Sequence, residues 1–171
     1  VLRAPQPEKP FILETDASQI AIGAVLKQDF EDSSHPVGYF SRALSTTERN
    51  YSTYERELYA VVRACEAFKV FLYGRPFTLR TDHRALVGIF ATQPPFASRI
   101  TKWVMRLQPY AFTVTYIPGG ENVVADALSR IPWPVIEQPE SLAMRLSLNF
   151  LEESSRADRV KIENSSLRAI S

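Results

Sequence analysis

The chain has 171 residues, 45% of them hydrophobic, with 20 basic and 19 acidic side chains and one cysteine. This length suits one domain with a buried core, no apolar run reaches a membrane span, and one cysteine permits neither an internal disulfide nor a cysteine-based zinc site. The net charge of +1 argues against a nucleic-acid binder that relies on a strong basic excess. The start has neither Met nor a signal-peptide core, so we expect a piece of a longer, non-secreted chain in a reducing compartment.

Short β-like runs alternate with helical patterns between residues 10 and 131. The first three runs are separated by short turns, which predicts an antiparallel meander of strands at Phe11–Thr15, Ala21–Gln28 and Val37–Ser41. We expect residues 1–9 to be linker.

A long helix is predicted after the meander. Ser52 and Glu55 have capping-box spacing, which places its start at Ser52 or Thr53. Gly74 and Pro76 predict its end. Between them, apolar side chains recur in steps of three and four residues, at Tyr54, Leu58, Val61, Cys65, Phe68 and Leu72.

The rest of the body predicts two more strands and three helices. In chain order these are a strand at Phe77–Thr81, helices at Arg84–Phe90 and Ser98–Leu107, a strand at Ala111–Ile117 and a helix at Val123–Ser129. A crossover helix between the third and fourth strands favours parallel pairing there. The predicted fold class is therefore α/β, with a five-stranded mixed sheet that joins a three-stranded antiparallel meander to two parallel strands and is flanked by helices.

Proline and serine mark the end of the body. Residues 132–171 open on a proline-rich stretch and are rich in serine, so we expect a linker that is largely disordered or weakly helical. The helical spacing of Leu142, Leu146 and Phe150 is the basis for the second alternative.

Two of the predicted strands end in the same way, with Thr15-Asp16 and Thr81-Asp82. One Asp after a strand is usually a turn former. If the two strands are parallel neighbours, however, both carboxylates stand at the carboxyl edge of the sheet, where open α/β folds bind their ligands. Two adjacent carboxylates repel each other unless a cation lies between them.

Two further acids join this set. Glu57 lies at the edge of the helix's apolar stripe, where it either pairs with an arginine or binds a metal, whereas Glu55 is interpreted as a helix cap. Asp126 interrupts an apolar segment, although a helix N-terminus also favours an acid. Four such acids in a chain with two histidines fit two hard cations, Mg²⁺ with Mn²⁺ as a substitute, which can activate water against a phosphodiester.

Five sequence blocks resemble the ribonuclease H domain of gypsy-type LTR-retrotransposon Pol polyproteins. The resemblance covers roughly residues 5–132, and the blocks are Thr15-Asp16-Ala17-Ser18, Gly23-Ala24-Val25-Leu26, Tyr54-Glu55-Arg56-Glu57-Leu58, Leu79-Arg80-Thr81-Asp82-His83 and Asn122-Val123-Val124-Ala125-Asp126-Ala127-Leu128-Ser129-Arg130. It implies a ribonuclease H-like fold over residues 10–131 and endonucleolytic hydrolysis of RNA in an RNA–DNA hybrid. The family's catalytic, metal-binding acids fall on Asp16, Glu57, Asp82 and Asp126, with Asp16 bridging two ions, Glu57 and Asp82 holding one, and Asp126 the other.

The resemblance also implies partners. Residues 1–9 would end the connection from a reverse transcriptase polymerase domain, and residues 132–171 would begin the tether to integrase. The substrate would be an RNA–DNA hybrid, no membrane would be involved, and the location would be the cytoplasm, in virus-like particles, or the nucleus. Basic side chains predicted to contact phosphates are Arg80, Arg84, Arg99, Lys102 and Arg106.

Two observations keep alternatives open. Many ribonucleases H carry a His in the loop before the last acid, but residues 117–122 contain none, so proton transfer or product release there is in question. The alternatives are a non-catalytic ribonuclease H-like scaffold or a nucleic-acid-binding module, in Pol or in a host-adopted derivative. An integrase-type triad would end in Glu rather than in Asp126.

The charge balance changes once the four acids are set apart. Residues 1–131 carry 15 basic and 13 acidic side chains, and without the four acids the excess is 15 against 9, or +6. Two divalent cations would offset the acids, so we expect the metal-loaded domain to present a basic surface.

Overall fold

The computed structural model describes residues 2–31, 33–89 and 99–131. Five strands form one sheet: β1 (Phe11–Ala17), β2 (Ala21–Asp29), β3 (Ser34–Ala43), β4 (Phe77–Thr81) and β5 (Phe112–Tyr116). The helices within those ranges are α1 (Thr46–Arg49), α2 (Thr53–Ala67), α3 (Lys69–Leu72), α4 (Arg84–Ile89), α5 (Arg99–Leu107) and α6 (Val123–Arg130), and a 3₁₀ turn spans Gly119–Glu121. Among these helices, none is long and apolar enough to cross a membrane.

The strand order of the sheet is β3-β2-β1-β4-β5. β2 pairs antiparallel with both β1 and β3, to which short turns connect it. β4 pairs parallel with both β1 and β5, and helices supply the crossovers that parallel pairing needs. This arrangement confirms the predicted fold class, a mixed sheet of a meander plus two parallel strands.

α2 packs its apolar stripe against the sheet, and the stripe is buried from Leu58 onward, as predicted. The prediction of one helix that continues to Gly74 is wrong. α2 ends at Ala67, because Phe68 adopts φ −98° and ψ 20°, and α3 begins at Lys69. The apolar spacing continues across this break, so periodicity alone does not reveal it.

α1 is a helix that the sequence analysis did not predict. Ser45 caps it, and Glu48 completes a capping box by accepting a hydrogen bond from the Ser45 backbone N–H. The Glu48 carboxylate also accepts hydrogen bonds from the Tyr59 hydroxyl at 2.5 Å and from Arg42 at 3.0 Å. The Ser-x-x-Glu spacing that predicted the start of α2 was present here as well.

The remaining predicted elements occur as well, β4 with the predicted bounds and the others with ends shifted by at most three residues. Residues 2–10 form no strand or helix, but they lie along the sheet, since the Gln28 side chain donates to the carbonyl oxygens of Gln6 and Lys9. The predicted helix ends at Phe90 and Ser98, and every prediction for residues 132–171, lie outside the described residues.

Candidate metal site at the carboxyl edge of the sheet

Asp16 and Asp82 lie at the same edge of the sheet because β1 and β4 are parallel neighbours. Leu13 pairs with Leu79 in register, Asp16 stands near the end of β1, and Asp82 directly follows β4. Asp16 is buried and Asp82 half-buried. The predicted juxtaposition of the two carboxylates is therefore present.

Glu57 reaches this edge from α2. The helix begins at Thr53 with a reciprocal capping box between Ser52 and Glu55, which fixes the start of α2 and so the direction of the Glu57 side chain one turn later. Glu57 is 5% exposed, and one of its carboxylate oxygens, Oε2, is buried without a hydrogen-bond partner. The backbone N–H of Ala17 donates to the same carboxylate.

The carboxylates of Asp16, Glu57 and Asp82 form a cluster, which we call the three-acid cluster. One oxygen from each lies within 4.8 Å of the others. Burial, together with the charges of Asp16 and Asp82, raises the pKa of Glu57 to about 9. Burial and the neighbouring acids also raise the pKa of Asp16. Such crowding disfavours three negative charges, and a divalent cation bound by carboxylate oxygens would relieve it.

The donor set fits a hard divalent cation. It consists of three carboxylates, which suit Mg²⁺ or Mn²⁺ better than softer metals, and the orphaned Glu57 Oε2 offers a free ligand atom. The cluster can therefore hold a metal, although the geometry does not identify which one.

Asp126, the fourth predicted acid, lies beside the cluster rather than in it. Its Oδ1 accepts a hydrogen bond from Arg130 Nε at 2.7 Å and lies 2.6 Å from Arg130 Nη2 in the same ion pair. Its charge nevertheless raises the pKa of Asp16, so the two carboxylates lie close enough to interact. The structure thus brings three of the four predicted acids together and pairs the fourth with an arginine.

Polar contacts attach α6 to the sheet next to the cluster. The Asn122 side chain donates to the Thr15 carbonyl oxygen at 2.9 Å, and Ser129 Oγ lies 2.5 Å from Asp16 Oδ2. The sequence analysis assigned no role to Asn122, Ser129 or Arg130, because nothing local to α6 reveals which strand it meets. The sequence pointed to these three residues only in that they belong to residues 122–130, the family-like block that also contains Asp126.

The loop before α6 also touches the site. A Cβ at Gly119 would lie 3.1 Å from Asp82 Oδ2, so this backbone passes directly beside that carboxylate. The loop that lacks the expected His therefore lines the site with its main-chain atoms.

An open cavity of about 460 Å³ is lined in part by the chain neighbours of two cluster acids, Ala17 after Asp16 and Arg56 before Glu57. Its lining comprises the β1–β2 turn and two arginines, namely Ala17, Ser18, Gln19, Ile20, Arg56 and Arg130. Neither Arg56 nor Arg130 was predicted from the sequence as a binding residue.

Several of the predicted phosphate contacts have protein partners. Arg80 lies 3.5 Å from Glu14, Arg99 lies 3.0 Å from Glu55, and Arg106 pairs with Glu66. The Arg84 guanidinium stacks over the Tyr116 ring at 4.8 Å, and Lys102 is exposed on α5. All five remain predictions as nucleic-acid contacts.

Comparison with known sequences identifies relatives. Residues 6–110 match the family model described as the RNase H-like domain found in reverse transcriptase, a match that ends before β5 and Asp126. The retrovirus-related Pol polyprotein from transposon 297 of Drosophila melanogaster is 45% identical over 131 residues, 77% of this chain and 12% of the polyprotein. The transposon Tf2-3 polyprotein of Schizosaccharomyces pombe is 36% identical over 168 residues, 94% of this chain and 12% of that polyprotein. The chain thus spans a small part of these relatives.

Solved structures share the fold. The LC11-RNase H1 structure in complex with an RNA/DNA hybrid has a TM-score of 0.53 and 20% identity, over 69% of this chain and 92% of that one. A prototype foamy virus protease-reverse transcriptase has a TM-score of 0.59 and 18% identity, over 82% of this chain and 19% of that one. These likenesses establish a ribonuclease H-like fold. Together with the sequence relatives, they show that the chain belongs to the RNase H-like domains of reverse transcriptase in LTR-retrotransposon Pol polyproteins.

Proposed function

We propose that this domain is a ribonuclease H that hydrolyses the RNA strand of RNA–DNA hybrids during reverse transcription of a retrotransposon. The observation that carries the proposal is the three-acid cluster, in which three carboxylates converge at the carboxyl edge of the sheet. Such crowding is costly without cations, and divalent cations held by carboxylates can catalyse phosphodiester hydrolysis. Family membership supports the same reaction.

The four acids would bind two metal ions between them. Asp16, Glu57 and Asp82 would hold one Mg²⁺, and Asp126, together with Asp16, would hold a second. Bound there, two Mg²⁺ ions would supply the charge that activates a water and stabilises the leaving oxygen of the phosphodiester. Both contacts of Arg130 are made with Oδ1 of Asp126, so Oδ2 would be the carboxylate oxygen that binds the ion.

The adjoining cavity suits the sugar-phosphate backbone. Arg56 and Arg130 both line it, and guanidinium groups bind phosphate oxygens well. An Arg130 side chain that leaves Asp126 would be placed to contact substrate. Selection of RNA would depend on contacts to 2′-hydroxyl groups in the shallow minor groove of the hybrid.

The polyprotein setting supports the proposed partners. Because the relatives are Pol polyproteins, we propose a polymerase domain on the N-terminal side and integrase on the C-terminal side.

Cleavage of a labelled RNA–DNA hybrid in Mg²⁺ tests the reaction. Asp82→Asn removes one charge from the cluster, and we expect it to lower the cleavage rate at least a hundredfold. The matched control is Asp29→Asn, which removes an exposed carboxylate at the far end of β2. No cleavage by the parent chain, or equal cleavage by the parent and Asp82→Asn, would contradict the proposal and favour a scaffold.

A further inference from the structure

Ser129 links the last helix of the domain, α6, to its first strand, β1, through a contact with Asp16. It lies in the last turn of α6 and has no exposed surface. Its Oγ is 2.5 Å from Asp16 Oδ2, across 113 residues of sequence, and 2.8 Å from the carbonyl oxygen of Asp126. The hydroxyl therefore has two acceptors for one proton.

The carboxylate is the stronger of the two acceptors. A serine within a helix commonly donates to a carbonyl of the preceding turn, which would make Ser129 a purely local feature of α6. Hydrogen bonds to an ionised carboxylate are shorter and stronger than those to a neutral carbonyl. The shorter distance to Asp16 agrees with donation to that carboxylate.

The position of Ser129 is fixed by its backbone as well. The Ser18 hydroxyl donates to the Ser129 carbonyl oxygen at 2.6 Å. A Cβ at Gly23 would lie 2.6 Å from the Ser129 nitrogen, so α6 approaches β2 as closely as a glycine permits. The hydroxyl is thus held at a set place relative to Asp16 and restricts the rotation of its carboxylate.

We infer that Ser129 is a positioning residue that orients Asp16 toward the metal. The inference rests on the metal site of the proposed function. Hydrogen-bond partners of metal ligands typically contribute tenfold to a hundredfold to metal affinity. We therefore expect Ser129→Ala to weaken Mg²⁺ binding about tenfold.

Ser41 provides a matched control. Its hydroxyl donates to the Leu128 carbonyl oxygen at 2.7 Å, so it also ties α6 to the sheet, but through a bond to the main chain that contacts no carboxylate of the site. Ser41→Ala removes the same atoms and a hydroxyl bond between α6 and the sheet, but no bond to a carboxylate, and we expect it to leave Mg²⁺ affinity unchanged.

The experiment follows the melting temperature of the 171-residue chain as Mg²⁺ is added. Each variant is compared with itself in EDTA, so a loss of stability does not count as a loss of binding. Hybrid cleavage supplies a second readout, in which Ser129→Ala should lower kcat and leave KM unchanged. If Ser129 only stabilised the fold, Ser129→Ala and Ser41→Ala would change Mg²⁺ affinity and kcat to the same extent.

The outcomes separate two failures. If Mg²⁺ does not raise the melting temperature of the parent chain, the proposed metal site is wrong and the inference falls with it. If the parent responds, the inference alone is overturned by any of three results: equal Mg²⁺ affinity in Ser129→Ala, equal loss in Ser41→Ala, or no cooperative melting of Ser129→Ala in either condition.

Discussion

The surroundings of Glu57 strongly oppose its negative charge. It is 5% exposed, and its pKa lies near 9 in the folded chain against an ordinary 4.5. Between these values the folded state binds a proton that the unfolded state has released. We therefore expect the free energy of unfolding of the metal-free domain to fall as the pH rises from about 5 to about 9, by at most about 1.4 kcal/mol per pH unit.

Thermal unfolding in EDTA across this pH range measures the effect. Glu57→Gln keeps a neutral side chain at every pH, so its stability should depend less on pH than that of the parent. Mg²⁺ should also reduce the pH dependence of the parent, because a cation favours the ionised carboxylate. Identical pH profiles for parent and Glu57→Gln in EDTA would show that Glu57 does not titrate in this window.

At the scale of elements, the close approach of α6 to β2 gives a second prediction. A Cβ at Gly23 would lie 2.5 Å from the Ala125 carbonyl oxygen and 2.6 Å from the Ser129 nitrogen, both of them main-chain atoms that yield only if the helix moves. We expect Gly23→Ala to destabilise the domain by about 1–3 kcal/mol, the usual cost of overpacking. Displacement of α6 should also weaken Mg²⁺ binding.

Urea unfolding with and without Mg²⁺ tests this prediction. The control is Gly88→Ala in α4, where a Cβ would meet no atom within 4 Å and alanine favours the helix. Gly88→Ala should be neutral or slightly stabilising. A Gly23→Ala variant as stable as the parent would mean that α6 has room to adjust.

Local patterns predicted the elements and the acids, but not the contacts between distant segments. The alternation of short strands and helices was enough to predict the fold class. The positions of Asp16 and Asp82 at strand ends, and of Glu57 on the helix face, were enough to predict that the three acids lie close together. The break at Phe68 was missed because the apolar spacing continues through it. The contact of Ser129 with Asp16 depends on how α6 docks, and no pattern within α6 encodes that.

For the whole molecule, the charge balance bears on how the proposed hybrid substrate would bind. Residues 1–131 carry 15 basic and 13 acidic side chains, and the excess grows to 15 against 9 when cations offset the four acids, so phosphate binding should depend on salt. We expect the KM for hybrid to rise with NaCl concentration. Each lost phosphate contact should lower the slope of log affinity against log salt by about 0.9.

Lys102→Ala tests one predicted contact in this way. Lys102 is exposed on α5. If it contacts a phosphate, Lys102→Ala should lower the slope of log affinity against log salt by about 0.9, the value for one contact. The control is Lys69→Ala on α3, another exposed lysine, which stacks 5.5 Å from the Tyr73 ring and should leave the slope unchanged. Equal slopes for the parent and Lys102→Ala would remove this residue from the interface.

The hydrogen bond between Ser129 and Asp16 has a consequence for synthesis. Its partners are separated by 113 residues, and Asp126 joins them from the same late helix. A chain emerging from the ribosome can bring Asp16, Glu57 and Asp82 together once β4 is made, but it lacks Ser129 and Asp126 until α6 follows. Ser129 and all four acids are therefore present together only after residue 130 has left the exit tunnel, so the candidate metal site is completed late in the synthesis of this segment.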